Sequence, residues 1–137
     1  MRWATRAGIH VDRTACAWLI RRFIDSDAVF LFVADPEDAP PDATPFDIAG
    51  QPFSHHDGLS TFEVMVRHHD IRVPGIDALG RIVHEADIED ERYDAPEALG
   101  LDAIVRGLGE HLGDDDRLLD VTATLYDGLL AHLANRR

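Results

Sequence analysis

Apolar residues recur at helical spacing in five stretches of the chain, and only the N-terminal half interrupts this with short apolar runs. Arg2 to Arg6 predicts a short strand. Cys16, Leu19, Ile20, Phe23 and Ile24 then form a helical stripe, with Arg13, Arg21, Arg22 and Asp25 outside it. A helix is expected from an N-cap at Asp12 to about Asp25. Ala28-Val29-Phe30-Leu31-Phe32-Val33 is a continuous run of β-formers and predicts a buried strand. Four of the seven prolines and several acids fall between Asp35 and Pro45, which predicts a surface loop within one domain. Phe46-Asp47-Ile48 and Pro52-Phe53-Ser54-His55 flank Ala49-Gly50-Gln51 and suggest two short strands around a turn.

The remainder reads as helix. Ser60 or Thr61 caps a segment whose stripe is Phe62, Met65, Val66 and His69. After the Pro74-Gly75 break, Ile76, Leu79, Ile82, Val83 and Ala86 mark a third helix. Pro96 opens a fourth, with Ala98, Leu101, Ile104, Val105 and Leu108 expected to face inward, and Gly113 stops it. Asp114-Asp115-Asp116 caps a fifth, striped by Leu118, Leu119, Thr122, Leu125, Tyr126, Leu129 and Leu133. The expected class is α+β, predominantly helical with about five helices and a small sheet in the N-terminal half, as a single domain over residues 1–137.

Composition adds limits. A chain of 137 residues buries roughly two-thirds of its unfolded surface, so no disulfide or structural metal is needed for folding. The one cysteine, Cys16, cannot pair within the chain, which fits a reducing, cytoplasmic setting. No apolar run approaches the roughly 20 residues of a spanning helix. The net charge of −13 argues against direct nucleic-acid binding. All 13 basic residues are Arg, which excludes lysine Schiff-base chemistry.

Histidines and acids beside the apolar stripes are the candidate chemistry, because imidazole and carboxylate together suit borderline divalent ions. His10 and Asp12 flank Val11 in the segment starting at Ile9 and point the same way if it is extended. His55 and His56 end a predicted strand; alternation lets one of them face a shared pocket, and His55 is preferred. Glu63 sits in a first helical turn, where Ser60-Thr61-Phe62-Glu63 also fits a capping box. His84 and Asp87 are three apart on one helix and share a face. The candidate metal ligands are therefore His55, Glu63, His84 and Asp87, with His10 or Asp12 contributing. Arg6, Arg13 and Arg21 are candidates for an anion, although salt bridges to the many acids compete for them. No Gly-rich phosphate loop, Cys-x-x-Cys, His-Glu-x-x-His or Gly-x-Ser-x-Gly motif is present.

Trp3-Ala4-Thr5-Arg6 and the run from His10-Val11-Asp12-Arg13 to Phe23-Ile24-Asp25 resemble the opening of the ChrB C-terminal domain family of chromate resistance proteins. Pro45-Phe46-Asp47, Ser54-His55, Thr61-Phe62-Glu63, Ile82-Val83-His84, Asp87, Pro96-Glu97-Ala98 and Leu125-Tyr126-Asp127 are similar to its later blocks. The resemblance implies a link to chromate resistance or chromate response. Family members are described as regulators with an additional N-terminal region; this chain starts almost at the first block. The leading expectation is a small cytoplasmic metal-binding domain, with Zn first and Mn or Fe as alternatives. Its expected partners are the metal ion, chromate or another small oxyanion, and a second copy as a homodimer, without nucleic acid or membrane. A metal-dependent hydrolase and a metal-free sensor or interaction domain are the alternatives.

Overall fold

The computed structural model describes residues 1–8 and 10–136. Ile9, which opens the His10 segment, and Arg137 lie outside the described residues. Trp3, Ala4 and Thr5 are all buried because β1 (Arg2–Arg6) is the middle strand of a three-stranded parallel sheet, ordered β2-β1-β3. β2 (Val29–Val33) pairs with it from Arg2↔Val29 to Arg6↔Val33, and β3 (Thr44–Pro45) pairs on the other side. Parallel neighbours need a crossover, and α1 (Val11–Leu19) supplies the one between β1 and β2.

β2 is an edge strand, not the buried strand that its apolar run predicts. Among the described residues the sheet has three strands and one side of β2 has no neighbour: Phe30 is buried, but Val29 is 53% exposed. The expected hairpin over residues 46–55 is also absent. The Phe46 N–H extends the β3 pairing by donating to Ala4 O, and Asp47 then turns into the left-handed region at φ 52°. That turn ends the extended run, and Pro45 and Pro52 provide no N–H for a ladder.

The first helix differs from its stripe in two ways. Asp12 is not its N-cap: His10 occupies that position without a side-chain capping bond to the helix, and Asp12 is buried in the first turn. The helix also does not run as α to Asp25. Residues Ile20–Ile24 form a π-helical turn, closed by the Asp25 N–H on Ile20 O at 2.7 Å. The wider turn keeps Ile20 buried while Arg21 and Arg22 point outward.

The remaining helices are α2 (Thr61–His68), α3 (Ile76–Asp87), α4 (Glu97–Leu112) and α5 (Asp115–Ala134). Ser60 and Glu63 form the full capping box of α2, and Asp114 caps α5 through the N–H groups of Asp116 and Arg117. Gly75 precedes α3 at φ 86°, where an added Cβ would stand 2.9 Å from the Ala134 nitrogen. On α4, Ile104 is 50% exposed rather than inward, because α4 buries only Ala98, Leu101 and Val105.

α1 is the element around which the others pack, in contact with α2, α3, α4 and α5. Its Trp18 stacks on Phe62 of α2 at 6.4 Å and meets Tyr126 of α5 at 5.8 Å. The Tyr126 hydroxyl is fully buried, 2.6 Å from Thr14 Oγ1 and 3.2 Å from Val11 O. No described helix is long and apolar enough to cross a membrane.

Removing that hydroxyl by Tyr126→Phe leaves part of the α1–α5 polar contact unmet. It should cost about 1–2 kcal/mol. In urea denaturation the midpoint should fall with an unchanged slope.

Candidate functional site

Asp12 is 0% exposed, so every lone pair on its carboxylate has to find a partner within the fold. Oδ2 accepts from the Thr61 N–H at 3.0 Å and from His55 Nε2 at 2.9 Å. Oδ1 accepts from the Phe62 N–H at 3.0 Å and from the Cys16 thiol at 3.5 Å. Asp12 thus caps α2 instead of its own helix, satisfying two first-turn donors that Ser60 does not reach.

Asp87 from the end of α3, Asp47 from the 46–59 connection, and His10 and Arg13 from the start of α1 converge on the same place. His55 Nε2 lies 3.4 Å from Asp87 Oδ2 and 3.6 Å from Asp47 Oδ1, and His10 Nδ1 lies 2.8 Å from Asp87 Oδ1. Asp47 accepts from the Thr61 hydroxyl at 2.8 Å, and its other oxygen stands 2.8 Å from Arg13 Nε. One ligand atom each from Asp12, His55 and Asp87 lies within 4.8 Å of the other two. Two ligands bonded to one ion at about 2.0–2.2 Å can stand up to roughly 4.4 Å apart, so small side-chain adjustments would close a shared shell.

The electrostatics record crowded negative charge. Burial and the nearby Asp12 carboxylate push the Asp47 carboxyl up, against the Thr61 hydrogen bond and the Arg13 charge. His55 is raised to about 10 by its hydrogen bonds to Asp12 and Asp87. Burial raises Asp87, but hydrogen bonds from His10 and His55 outweigh it and leave the carboxyl well below its ordinary range. The Cys16 thiol is pushed up by burial and by Asp12, so it acts as a neutral donor.

His84 and Glu63 belong to a second network. His84 is 0% exposed; its Nδ1 lies 2.5 Å from Glu63 Oε1 and its Nε2 lies 2.9 Å from Asp90 Oδ1. Glu63 also accepts from the Ser60 N–H and from the Tyr93 hydroxyl, both at 2.9 Å. Glu85 accepts from the backbone N–H groups of Glu91 and Tyr93. His84, Glu85 and Asp90 also offer ligand atoms within 4.8 Å. With both ring nitrogens on carboxylates and Glu85 bound to backbone, this network ties the 90–93 loop to α3 and α2.

The expected ligand set therefore divides. His10, Asp12, His55 and Asp87 come together; Glu63 and His84 do not join them. His84 and Asp87 leave α3 toward different neighbours, one toward α2 and the other toward the start of α1. His56 turns away from the cluster to Gln51 O and Ser54. Of the three candidate arginines, Arg13 is at the cluster, Arg21 donates to Ala28 O, and Arg6 is exposed at the end of β1. Asp47 was not among the sequence candidates. Its visible signals are a lone acid between apolar Phe46 and Ile48 and its place in the Pro45-Phe46-Asp47 block of the resemblance.

The family model described as ChrB, C-terminal domain, matches residues 3–133. Protein ChrB of Cupriavidus metallidurans is 40% identical over 136 residues, which is 98% of this chain and 41% of that protein. The chain thus spans less than half the length of this curated relative. No solved structure matches the chain.

The second network has a defined pH signature. Burial lowers the His84 pKa, but hydrogen bonds to Glu63 and Asp90 outweigh it and leave it raised. Glu63 ends lowered: burial pushes it up, and the bonds from Ser60, His84 and Tyr93 outweigh that. The His84 contribution is complete below its ordinary value and fades as pH rises through the raised one. The Glu63 contribution is present above its ordinary value and fades in acid. His84→Ala should cost about 3 kcal/mol near neutral pH by leaving Glu63 without its partner. The stability gap from wild type, followed by urea denaturation between pH 5 and pH 10, should hold steady at the acid end of that range and narrow as pH rises through the raised His84 value.

Proposed function

The chain belongs to the ChrB C-terminal domain family, and from that premise we propose that it is a cytoplasmic metal-binding domain acting in chromate resistance or in the response to chromate. The observation that carries the metal assignment is the trio Asp12, His55 and Asp87, whose ligand atoms lie within 4.8 Å of one another around a fully buried carboxylate. His10 on Asp87 and Asp47 beside His55 extend the donor set. A shell of imidazole and carboxylate fits Zn, with Mn and Fe(II) as alternatives. Such an ion can polarise a bound oxyanion or a water molecule. Arg13, held beside Asp47, is the guanidinium in contact with this cluster and available to such an anion.

A specific observation supports the metal-free alternative. His55, raised to about 10, keeps its proton at neutral pH, and an imidazolium among three carboxylates already supplies positive charge. Metal and proton then compete for the same place, and metal affinity should climb with pH as that proton is displaced.

Metal-stripped protein titrated with Zn(II) and Mn(II) by calorimetry should take up one equivalent. Saturation at 100 times Kd should add about 2.7 kcal/mol of stability. His55→Ala and Asp87→Asn should each weaken binding about 100-fold or more. Tyr93→Phe, in the second network, should leave it unchanged. Melting that is indifferent to both ions and to chelator assigns the cluster to the imidazolium instead.

A further inference from the structure

Arg21 was singled out by the sequence and is left unused by the metal cluster. It and Arg22 ride on the π-helical turn Ile20–Ile24, and widened turns of this kind are frequent at functional sites. The turn borders a slot of about 150 Å³ at the surface. Its walls are Ala17, Trp18, Phe30, Leu119 and Ala123, so the interior is apolar, with two aromatic rings among aliphatic side chains. A 150 Å³ apolar cavity is about the size that accepts a single benzene ring.

The rim is polar and already organised. Arg21 lies over the Phe30 ring at 4.6 Å and donates Nε–H to Ala28 O at 3.3 Å. Those two contacts hold the guanidinium by its inner edge, and among the described residues no carboxylate pairs with it. Its terminal nitrogens remain for a bidentate anion. Asp127, on the same rim, is occupied by the Trp18 indole N–H at 2.9 Å and by Arg22 at 3.4 Å. The slot thus offers one apolar compartment and one uncompensated positive charge at its mouth. It shares no residue with the metal cluster.

We propose that this slot binds a small apolar carboxylate of single-ring size, with the ring between Trp18 and Phe30 and the carboxylate on Arg21. An apolar body in a preformed cleft supplies affinity, and the charge contact fixes orientation. Neither part suffices alone: a ring without the charge leaves the guanidinium unmatched, and a charge without the ring leaves the aromatic walls wet.

The test is a titration of isotope-labelled protein with benzoate, following the Trp18 indole N–H resonance, with the Trp3 indole as an internal control. Saturable shifts at Trp18 and none at Trp3 are expected. Benzyl alcohol, which has the ring without the charge, and acetate, which has the charge without the ring, should each bind at least about tenfold more weakly. Arg21→Gln should cost about tenfold, the worth of one charge-assisted contact. Ala123→Leu should abolish binding by filling the slot while leaving the Trp3 signal in place. Absence of saturation with benzoate, equal affinity for benzyl alcohol, or unchanged affinity in either variant would overturn the proposal. His55→Ala should bind benzoate as wild type does, which keeps this outcome separate from the fate of the metal assignment.

Discussion

Asp12 puts a carboxylate at the centre of the fold with no access to water, so the surrounding chain has to supply its partners. Two come from the first turn of α2, one from the Cys16 thiol and one from His55. Each constrains a different part of the chain. The backbone donors fix where α2 begins relative to α1, which brings Trp18 onto Phe62. The His55 bond draws the irregular 46–59 connection inward and brings Asp47 with it. A buried carboxylate satisfied in this way costs little, whereas the same group with one partner missing is expensive, so the arrangement behaves as a unit.

α3 carries the consequence outward. Its last turn presents His84 to Glu63 and Asp87 to His10 and His55, three positions apart on one helix. One helix thus serves two polar networks of opposite character. In the His84 network, both ring nitrogens and the Glu85 carboxylate are fully committed, and the result is a fixed loop. In the Asp12 network, the single nitrogen His55 Nε2 is shared among Asp12, Asp47 and Asp87, with His10 on Asp87 and Arg13 on Asp47. That sharing of one nitrogen, against one hydrogen-bonded carboxylate on each His84 nitrogen, separates the candidate centre from the fixed loop, although both are built from His, Asp and Glu.

Legibility followed the range of the interactions. The capping box at Ser60 and Glu63, the Asp114 cap and the stripe of α3 depend on neighbours within one or two turns, and they appear where the spacing placed them. Asp12 has the composition of an N-cap and performs that task, but for a helix about 50 residues later, which no local pattern can specify. The β2 run reads as buried because its residues are apolar, yet burial depends on whether another strand lies outside it. Asp47 escaped notice because its value comes from a left-handed turn and from Thr61 and Arg13, none of which its neighbours announce.

By itself the amino-acid order determined the helices, the α+β class, the acidic surface and the pool of His and acidic residues from which a site could be drawn. Periodicity and capping act over a few residues and are written locally. Tertiary packing alone decided how that pool divides: His10, Asp12, His55 and Asp87 at one centre, Glu63 and His84 at another. Spacing of three on α3 puts His84 and Asp87 on one helical face, but the direction each side chain takes depends on which carboxylate or imidazole the neighbouring element offers. That offer is set by how α1, α2 and the 46–59 connection dock around one buried carboxylate.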